Sequence, residues 1–215
     1  MSVKSVYSYV VILPNPEWAG QSGQVNPVPT NISFNLLVDN NILTLSSSTI
    51  SRSTDIRGLL YVPDLDRIDP CVNASSLYIP SNATRQTNLP QEDYRLIAIA
   101  PWISADCTLA YLSAARQDPI RAFIFYPLDN GTGPLPPAND QMWGLHDGGQ
   151  WRSHNKYPVY AVTSQVGNTL MTHLSRYSGN MTDVENGHYL TEIYDIRDYA
   201  RIYTDIRTGK LSFNI

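Results

Sequence analysis

The clearest pattern of apolar and polar positions lies in the centre of the chain. Residues 95–100 form a continuous apolar run of strand length, which is typical of a strand covered on both faces. Helical spacing follows over 104–116, where Ser104 is placed to cap the helix, and a second apolar strand covers 121–126. The buried face predicted for this helix contains Cys107, Ala110, Tyr111 and Ala114. The order predicts a β-α-β unit with parallel strands and a right-handed crossover.

The residues before this centre read as short strands. Apolar stretches at 7–13 and 58–62 each end at a proline, which favours a strand end there. Two further stretches, 33–38 and 42–45, flank the turn-forming trio at 39–41, and we expect them to pair as a β-hairpin.

The residues after the centre again predict a strand followed by a helix. Residues 157–163 predict a strand, and Ser164 is placed to cap a helix that runs to about Tyr177 before the stop signal Gly179. Two β-rich stretches that flank a turn at 207–210 predict a C-terminal hairpin. The arms of this hairpin are 200–205 and 211–215.

Two long segments lack a periodic pattern. Residues 64–92 are mostly polar and rich in turns, whereas 127–157 form an irregular stretch with Pro, Gly, Trp143 and Trp151. Loops of the second length are uncommon unless they are functional or disordered, and binding residues often lie on such loops.

Composition and charge exclude several classes of protein. Only 16% of residues are charged, below the roughly 25% of typical soluble domains. The net charge is −4 and the basic residues are scattered, so we expect no nucleic-acid partner. No run approaches the roughly 18 apolar residues that span a bilayer. We interpret the first thirteen residues as a strand instead of a signal peptide, because prolines follow at once.

Two features point to the secretory pathway. Five N-x-S/T triplets, in polar and turn-like stretches, are candidate glycosylation sites, although coincidence in an Asn-rich chain is the alternative. Their asparagines are Asn31, Asn73, Asn82, Asn130 and Asn180. The chain has two cysteines, Cys71 and Cys107, which either close one bridge in an oxidising compartment or remain buried thiols.

The order of the central elements resembles the protease-associated (PA) domain. In that family an I-A-L-I strand precedes a segment with a helix cysteine, followed by an A-V-I-I-Y-type strand, an N-N-like turn and an I-P-V strand that enters a helix. The matching stretches here are LIAI at 96–99, CTL at 107–109, AFIFY at 122–126, DNG at 129–131 and YPV at 157–159. The family's Arg-Gly pair before the cysteine is Ser104-Ala105 here, so no ligand role transfers to it.

The resemblance implies an α+β, β-rich fold, a PA-type β-sandwich or open barrel with flanking helices. It implies one domain over 1–215 with a PA core at about 68–178, an N-terminal β-rich extension at 1–60 and a C-terminal hairpin at 199–215. PA domains of membrane-anchored RING ubiquitin ligases pair the helix cysteine with an upstream one, which implies a Cys71–Cys107 disulfide.

The resemblance also implies a function. In fungal PA–transmembrane–RING ubiquitin ligase-like proteins this domain recruits a protein or peptide cargo on the luminal side of the endosome, vacuole or Golgi. We therefore expect a non-catalytic glycoprotein domain without cofactor, with the membrane tether outside this chain and any ligase activity in the full-length protein. The alternatives are a PA domain accessory to a secreted peptidase and a secreted carbohydrate-binding module. The candidate ligand surface is the 127–157 loop with Trp102, Trp143 and Trp151.

A search for catalytic constellations supports a non-enzymatic interpretation. The sequence has no G-x-S-x-G, H-E-x-x-H, C-x-x-C or glycine-rich phosphate motif. His146, Asp147 and His154 share one loop, but their spacing fits no metal-site template, and we expect no metal there.

Overall fold

The computed structural model of the protein describes residues 2–15, 25–39, 41–47, 55–90, 93–128 and 133–209. The strands in these residues are β1 (Ser2–Leu13), β2 (Asn26–Pro27), β3 (Asn35–Asp39), β4 (Ile42–Ser46), β5 (Asp55–Tyr61), β6 (Leu96–Trp102), β7 (Ile120–Pro127), β8 (Val159–Val162), β9 (Gly179–Asn180) and β10 (Tyr199–Gly209). The helices are α1 (Pro70–Ser75), α2 (Ala105–Ala115), α3 (Trp151–His154), α4 (Ser164–Arg176) and α5 (Gly187–Leu190), with short 3-10 helices at Gln86–Asn88 and Gln141–Trp143.

The described strands join into one mixed sheet that curls into a half-barrel with helices at its flanks. Its main path runs β2-β1-β10-β5-β6-β7-β8-β4, and β3 and β9 branch from it by pairing with β1 and β10. Neighbours from β5 to β8 are parallel, and the other pairs are antiparallel. The predicted β-rich fold class with an open barrel and flanking helices is confirmed.

The central β-α-β unit is present as predicted. Every residue of β6 is buried, in agreement with its uninterrupted apolar run, and β7 lies parallel to it. Between them, α2 begins after Ser104, whose hydroxyl accepts a hydrogen bond from the Cys107 amide at 3.2 Å. The buried face of α2 is displaced from the predicted one, since Ala110 and Ala114 are only half-buried. Its fully buried residues are Cys107, Thr108, Tyr111, Leu112 and Ala115.

The hairpin expected between 33–38 and 42–45 is not formed. Over the described residues β3 pairs with β1, and β4 pairs with β8 at the other end of the sheet path. A two-stranded hairpin is marginal in water, whereas pairing with β1 and β8 makes β3 and β4 part of a larger sheet. The pairing also buries Val38 and Leu45 in the core.

The C-terminal part differs in detail from its prediction. Thr163, and not Ser164, occupies the cap position of α4, and Ser164 is buried in the first turn. Strand β10 continues through the turn expected at 207–210 as far as Gly209, and it pairs with β1 along almost its whole length. The second arm of the expected hairpin, 211–215, lies outside the described residues.

A hydrogen bond joins the end of β5 to the turn before β7, where Tyr61 donates its hydroxyl to Asp118 Oδ2 at 2.7 Å. Partial burial raises the pKa of the Asp118 carboxyl above its ordinary value, and the nearby Asp64 adds to the rise, although the Tyr61 hydrogen bond opposes it. The folded state therefore holds this proton to a higher pH than the unfolded chain does. Its contribution to stability falls as pH rises from the ordinary carboxyl range through the raised value.

We expect Asp118→Asn to gain stability relative to the native chain as pH rises from about 3 to 7, because Asn keeps an acceptor for Tyr61 without the charge. Urea unfolding at each pH measures the difference. Asp195 is the matched control, since its hydrogen bonds with Arg197 lower its pKa. Asp195→Asn should therefore lose relative stability over the same range. A difference for Asp118→Asn that is constant with pH would contradict the assignment.

Candidate functional site

The most exposed large apolar side chains of the described residues cluster around α1. Ile68 is 89% exposed and Leu77 is 86% exposed. Val72 lies between them in the chain and Tyr78 follows Leu77, each with more than a third of its surface in water. We call these four residues the α1 platform. Exposed apolar patches of this kind mark interaction sites in soluble proteins.

Local hydrogen bonds stabilise both ends of α1. Asp69 caps the helix by accepting a hydrogen bond from the Cys71 amide at 2.8 Å, and Pro70 occupies the first helical position, where no amide donor is needed. At the other end, Ser75 donates its hydroxyl to the Cys71 carbonyl at 2.7 Å. These local bonds stabilise a helix that is too short to be stable by itself.

Two links connect α1 to the core. A disulfide joins Cys71 on α1 to Cys107 on α2, which confirms the predicted pairing. Beside it, the buried Tyr111 hydroxyl lies 2.7 Å from Ser75 Oγ. The platform is therefore held on a rigid support. A buried disulfide is also typical of secreted or luminal proteins.

A third link reaches the residues after the helix. Tyr126, buried on β7, donates its hydroxyl to the Tyr78 carbonyl at 3.3 Å. Burial of this ring raises the pKa of the Tyr126 hydroxyl well above its ordinary value, so it remains a donor at physiological pH.

A groove flanks the platform on each side. The first, which we call the Arg67 groove, has a volume of about 390 Å³ and lies between α1 and the residues before it, with Val72 in its wall and Tyr111 from α2 beneath. The second, the α4 groove, has a volume of about 450 Å³ and separates Leu77 and Tyr78 from α4. Ser76 and Ile79 line both grooves, so the two run along opposite sides of one ridge.

The charged side chains that line the grooves are mainly basic. Arg67 and Arg85 line the first groove together with Asp64, and Arg176 lines the second. Arg85 Nε lies 3.9 Å from Asp64 Oδ1 and Arg85 Nη1 donates to a backbone carbonyl at 2.9 Å, whereas Arg176 Nη1 donates to both carboxylate oxygens of Glu185 at 3.3 and 3.4 Å. Exposed ion pairs of this kind contribute little to stability, so an acidic ligand can compete for these arginines.

The predicted tryptophan surface is corrected by the structure. Trp102, Trp143 and Trp151 are all buried and form one cluster, in which the Trp102 ring centroid lies 5.0 Å from that of Trp143 and 5.9 Å from that of Trp151. The edge-to-face contacts anchor the 127–157 loop to the end of β6. These side chains therefore stabilise the fold and do not face a ligand.

Asp147 shapes the loop that also contains His146 and His154. Asp147 accepts hydrogen bonds from the Gly149 and Trp151 amides and so shapes the turn into α3. Within the described ranges, no group of three or more His, Cys, Asp or Glu residues is placed to hold a metal ion. No described helix has the length and apolar character that crossing a bilayer requires.

The asparagines of the five triplets lie in different environments. Asn31 and Asn73 are exposed, Asn180 is half-buried in β9, and Asn130 lies outside the described residues. Asn82 is exposed, but its side-chain nitrogen donates to the Ser175 carbonyl at 2.7 Å and so fastens the segment after α1 to the end of α4.

Sequence reasoning missed the α1 platform. Ile68, Val72 and Leu77 are single apolar residues in a polar, turn-rich segment, and no period marks them as a surface. The available signal was the capped Asp-Pro-Cys start of a helix at 69–71, which would have placed Val72 and Asn73 on a short exposed helix.

Comparison of the sequence with models of known protein families and with curated proteins finds no match.

Proposed function

We propose that this chain is a non-catalytic binding domain of the secretory pathway that holds a protein or peptide ligand on the α1 platform. The observation that carries the proposal is that Ile68 and Leu77, both almost fully exposed, flank the disulfide-anchored helix α1 in the chain, beside two grooves. Apolar side chains exposed singly are common, whereas several that lie together with polar residues around them mark an interaction site.

The shape and charge of the surface define the ligand. The grooves run along one ridge, so an extended segment can place one apolar side chain in each groove. Arg67, Arg85 and Arg176 favour a segment that also carries an acidic residue. The proposed ligand is therefore a peptide segment with two apolar side chains and a nearby Asp or Glu.

The resemblance to PA domains gives this ligand a biological setting. In that setting the chain recruits cargo on the luminal side of an endosome, vacuole or Golgi membrane for a membrane-anchored RING ubiquitin ligase. The disulfide supports the coarser part of the setting, a secreted or luminal location. The burial of all three candidate tryptophans leaves the carbohydrate-binding alternative with exposed tyrosines as its stacking groups.

Selection from a random dodecapeptide display library on the oxidised protein tests the proposal. We expect enriched peptides with two apolar residues and an acidic one, and we expect Leu77→Asp to weaken their binding about tenfold or more. The reason is that burial of a Leu side chain is worth about 1.5–3 kcal/mol and every 1.4 kcal/mol is tenfold in affinity.

Leu37→Asp is the matched control, because Leu37 is 58% exposed on β3 and lines neither groove. It should leave binding unchanged. Enriched peptides that bind the Leu77→Asp variant as well as the native chain would refute the platform as the binding site.

A further inference from the structure

Asn73 lies on α1, next to Val72 of the α1 platform. Its side chain is exposed on α1, and within the described residues its side-chain nitrogen makes no hydrogen bond. The helix turn continues beyond the last helical residue, since the Ser76 amide donates to the Asn73 carbonyl at 3.2 Å. Leu77, four residues after Asn73, therefore lies on the same face of the turn.

Asn73 is also the first residue of an Asn-Ala-Ser triplet, the acceptor motif for N-linked glycans. We propose that Asn73 carries an N-linked glycan which stands beside Leu77, leaves Leu77 and both grooves open to a peptide, and keeps a second copy of the chain from packing against Leu77. The proposal rests on the secretory location in the proposed function.

The positions of the neighbouring residues support this arrangement. Asn73 lines neither groove, whereas Val72 and Ser76 on the adjoining side of the turn do. A glycan on Asn73 thus projects from the side of the helix opposite the buried Cys71. Such a glycan is bulky and solubilising, and it shields an apolar side chain that would otherwise favour association between chains.

Asn82 provides the internal comparison. It begins an equivalent Asn-Ala-Thr triplet, but its side-chain nitrogen, the atom that would carry the sugar, donates to the Ser175 carbonyl at 2.7 Å. A sugar on that nitrogen would have to share the space beside the end of α4. We therefore expect the folded protein to carry a glycan at Asn73 and none at Asn82.

The test is secretion of residues 1–215 from yeast behind a foreign signal sequence, followed by intact mass and glycopeptide mass measurements with and without an endoglycosidase. Asn73→Gln should remove the mass of one glycan, and Asn82→Gln should leave the mass unchanged apart from the substitution. An unmodified Asn73, or an occupied Asn82, in the secreted disulfide-bonded chain overturns the assignment.

Sedimentation velocity tests the shielding. We expect Asn73→Gln to associate at a concentration about tenfold lower than the glycosylated chain, and Leu77→Ser in the same chain to reverse this change. Association that does not depend on the glycan overturns the shielding. Binding of the selected dodecapeptides to the glycosylated chain is a separate readout, so a failure of the proposed ligand site is distinguishable from a failure of the glycan site.

Discussion

Replacement of both Cys71 and Cys107 by alanine lowers the free energy of unfolding by about 4 kcal/mol, the largest effect that we expect from a change at the candidate site. The bridge closes a loop of 36 residues along the chain, and its loss frees that loop in the unfolded ensemble. Alanine is the suitable replacement, because both cysteines are buried and a serine hydroxyl would need a new partner. Urea unfolding under oxidising conditions measures the difference.

Reduced native protein is the control for this prediction. With the disulfide reduced, the native chain should match the double variant to within about 1 kcal/mol, and reductant should not affect the variant. Peptide binding should fall together with stability, since the bridge is one of the links that hold the platform on α2. A double variant as stable as the oxidised native chain would contradict a stabilising role for the bridge.

The central elements of the fold could be predicted from the sequence for a physical reason. Strand β6 along its whole length and strand β7 from Ala122 onwards are buried on both faces, so these residues form uninterrupted apolar runs, and the helix between them shows its own spacing. The periodicity of a segment depends on its own residues alone. The sequence therefore reveals each element and the parallel pairing that one short crossover imposes.

Strand partners from distant parts of the chain could not be predicted in the same way. Strand β3 lies close to β4 in sequence yet pairs with β1, and β1 pairs with β10 from the other end of the chain. Which edge a strand joins depends on the whole sheet, and no local signal records it. For this reason the predicted pairing of the two strands within 33–45 was wrong.

The burial or exposure of several individual side chains could not be predicted from the sequence either. Arg201 would be expected at the surface, yet it is buried and donates to the carbonyls of Gly179 and Asn88 at 3.0 and 2.8 Å. Trp143 and Trp151, in a loop rich in Pro and Gly, form part of the core. The opposite case is Leu77, an apolar residue left in water. Such placements follow from tertiary packing, so the candidate site became visible only in the structure.

The same dependence on packing makes Gly167 sensitive to a single methyl group. Gly167 lies on α4 directly over the ring of Tyr126, and a Cβ atom at this position would overlap the Cβ, Cγ and Cδ2 atoms of that side chain. Tyr126 is fully buried on β7, so its ring has no free space into which to move. The absence of a side chain at Gly167 is what allows α4 to pack against the sheet and form one wall of the α4 groove.

Two opposing effects decide the outcome of Gly167→Ala. In a helix interior, alanine is favoured over glycine by about 1 kcal/mol, whereas overpacking a core costs about 1–3 kcal/mol and occasionally more. Because the overlap involves a ring that cannot move away, we expect the steric cost to dominate, with a net loss of about 2 kcal/mol in urea unfolding. The displaced α4 should also weaken binding of the selected dodecapeptides, since Met171 and Arg176 on this helix line the α4 groove.

Two further variants separate this mechanism from a general effect of the substitution. Gly133→Ala should be close to neutral, because an added Cβ there meets nothing within 4 Å. In a double-mutant cycle, Tyr126→Ala should remove most of the cost of Gly167→Ala, because the obstructing ring is gone and the helix preference for alanine remains. Additive losses in that cycle would mean that the contact between α4 and β7 does not set the position of the groove wall.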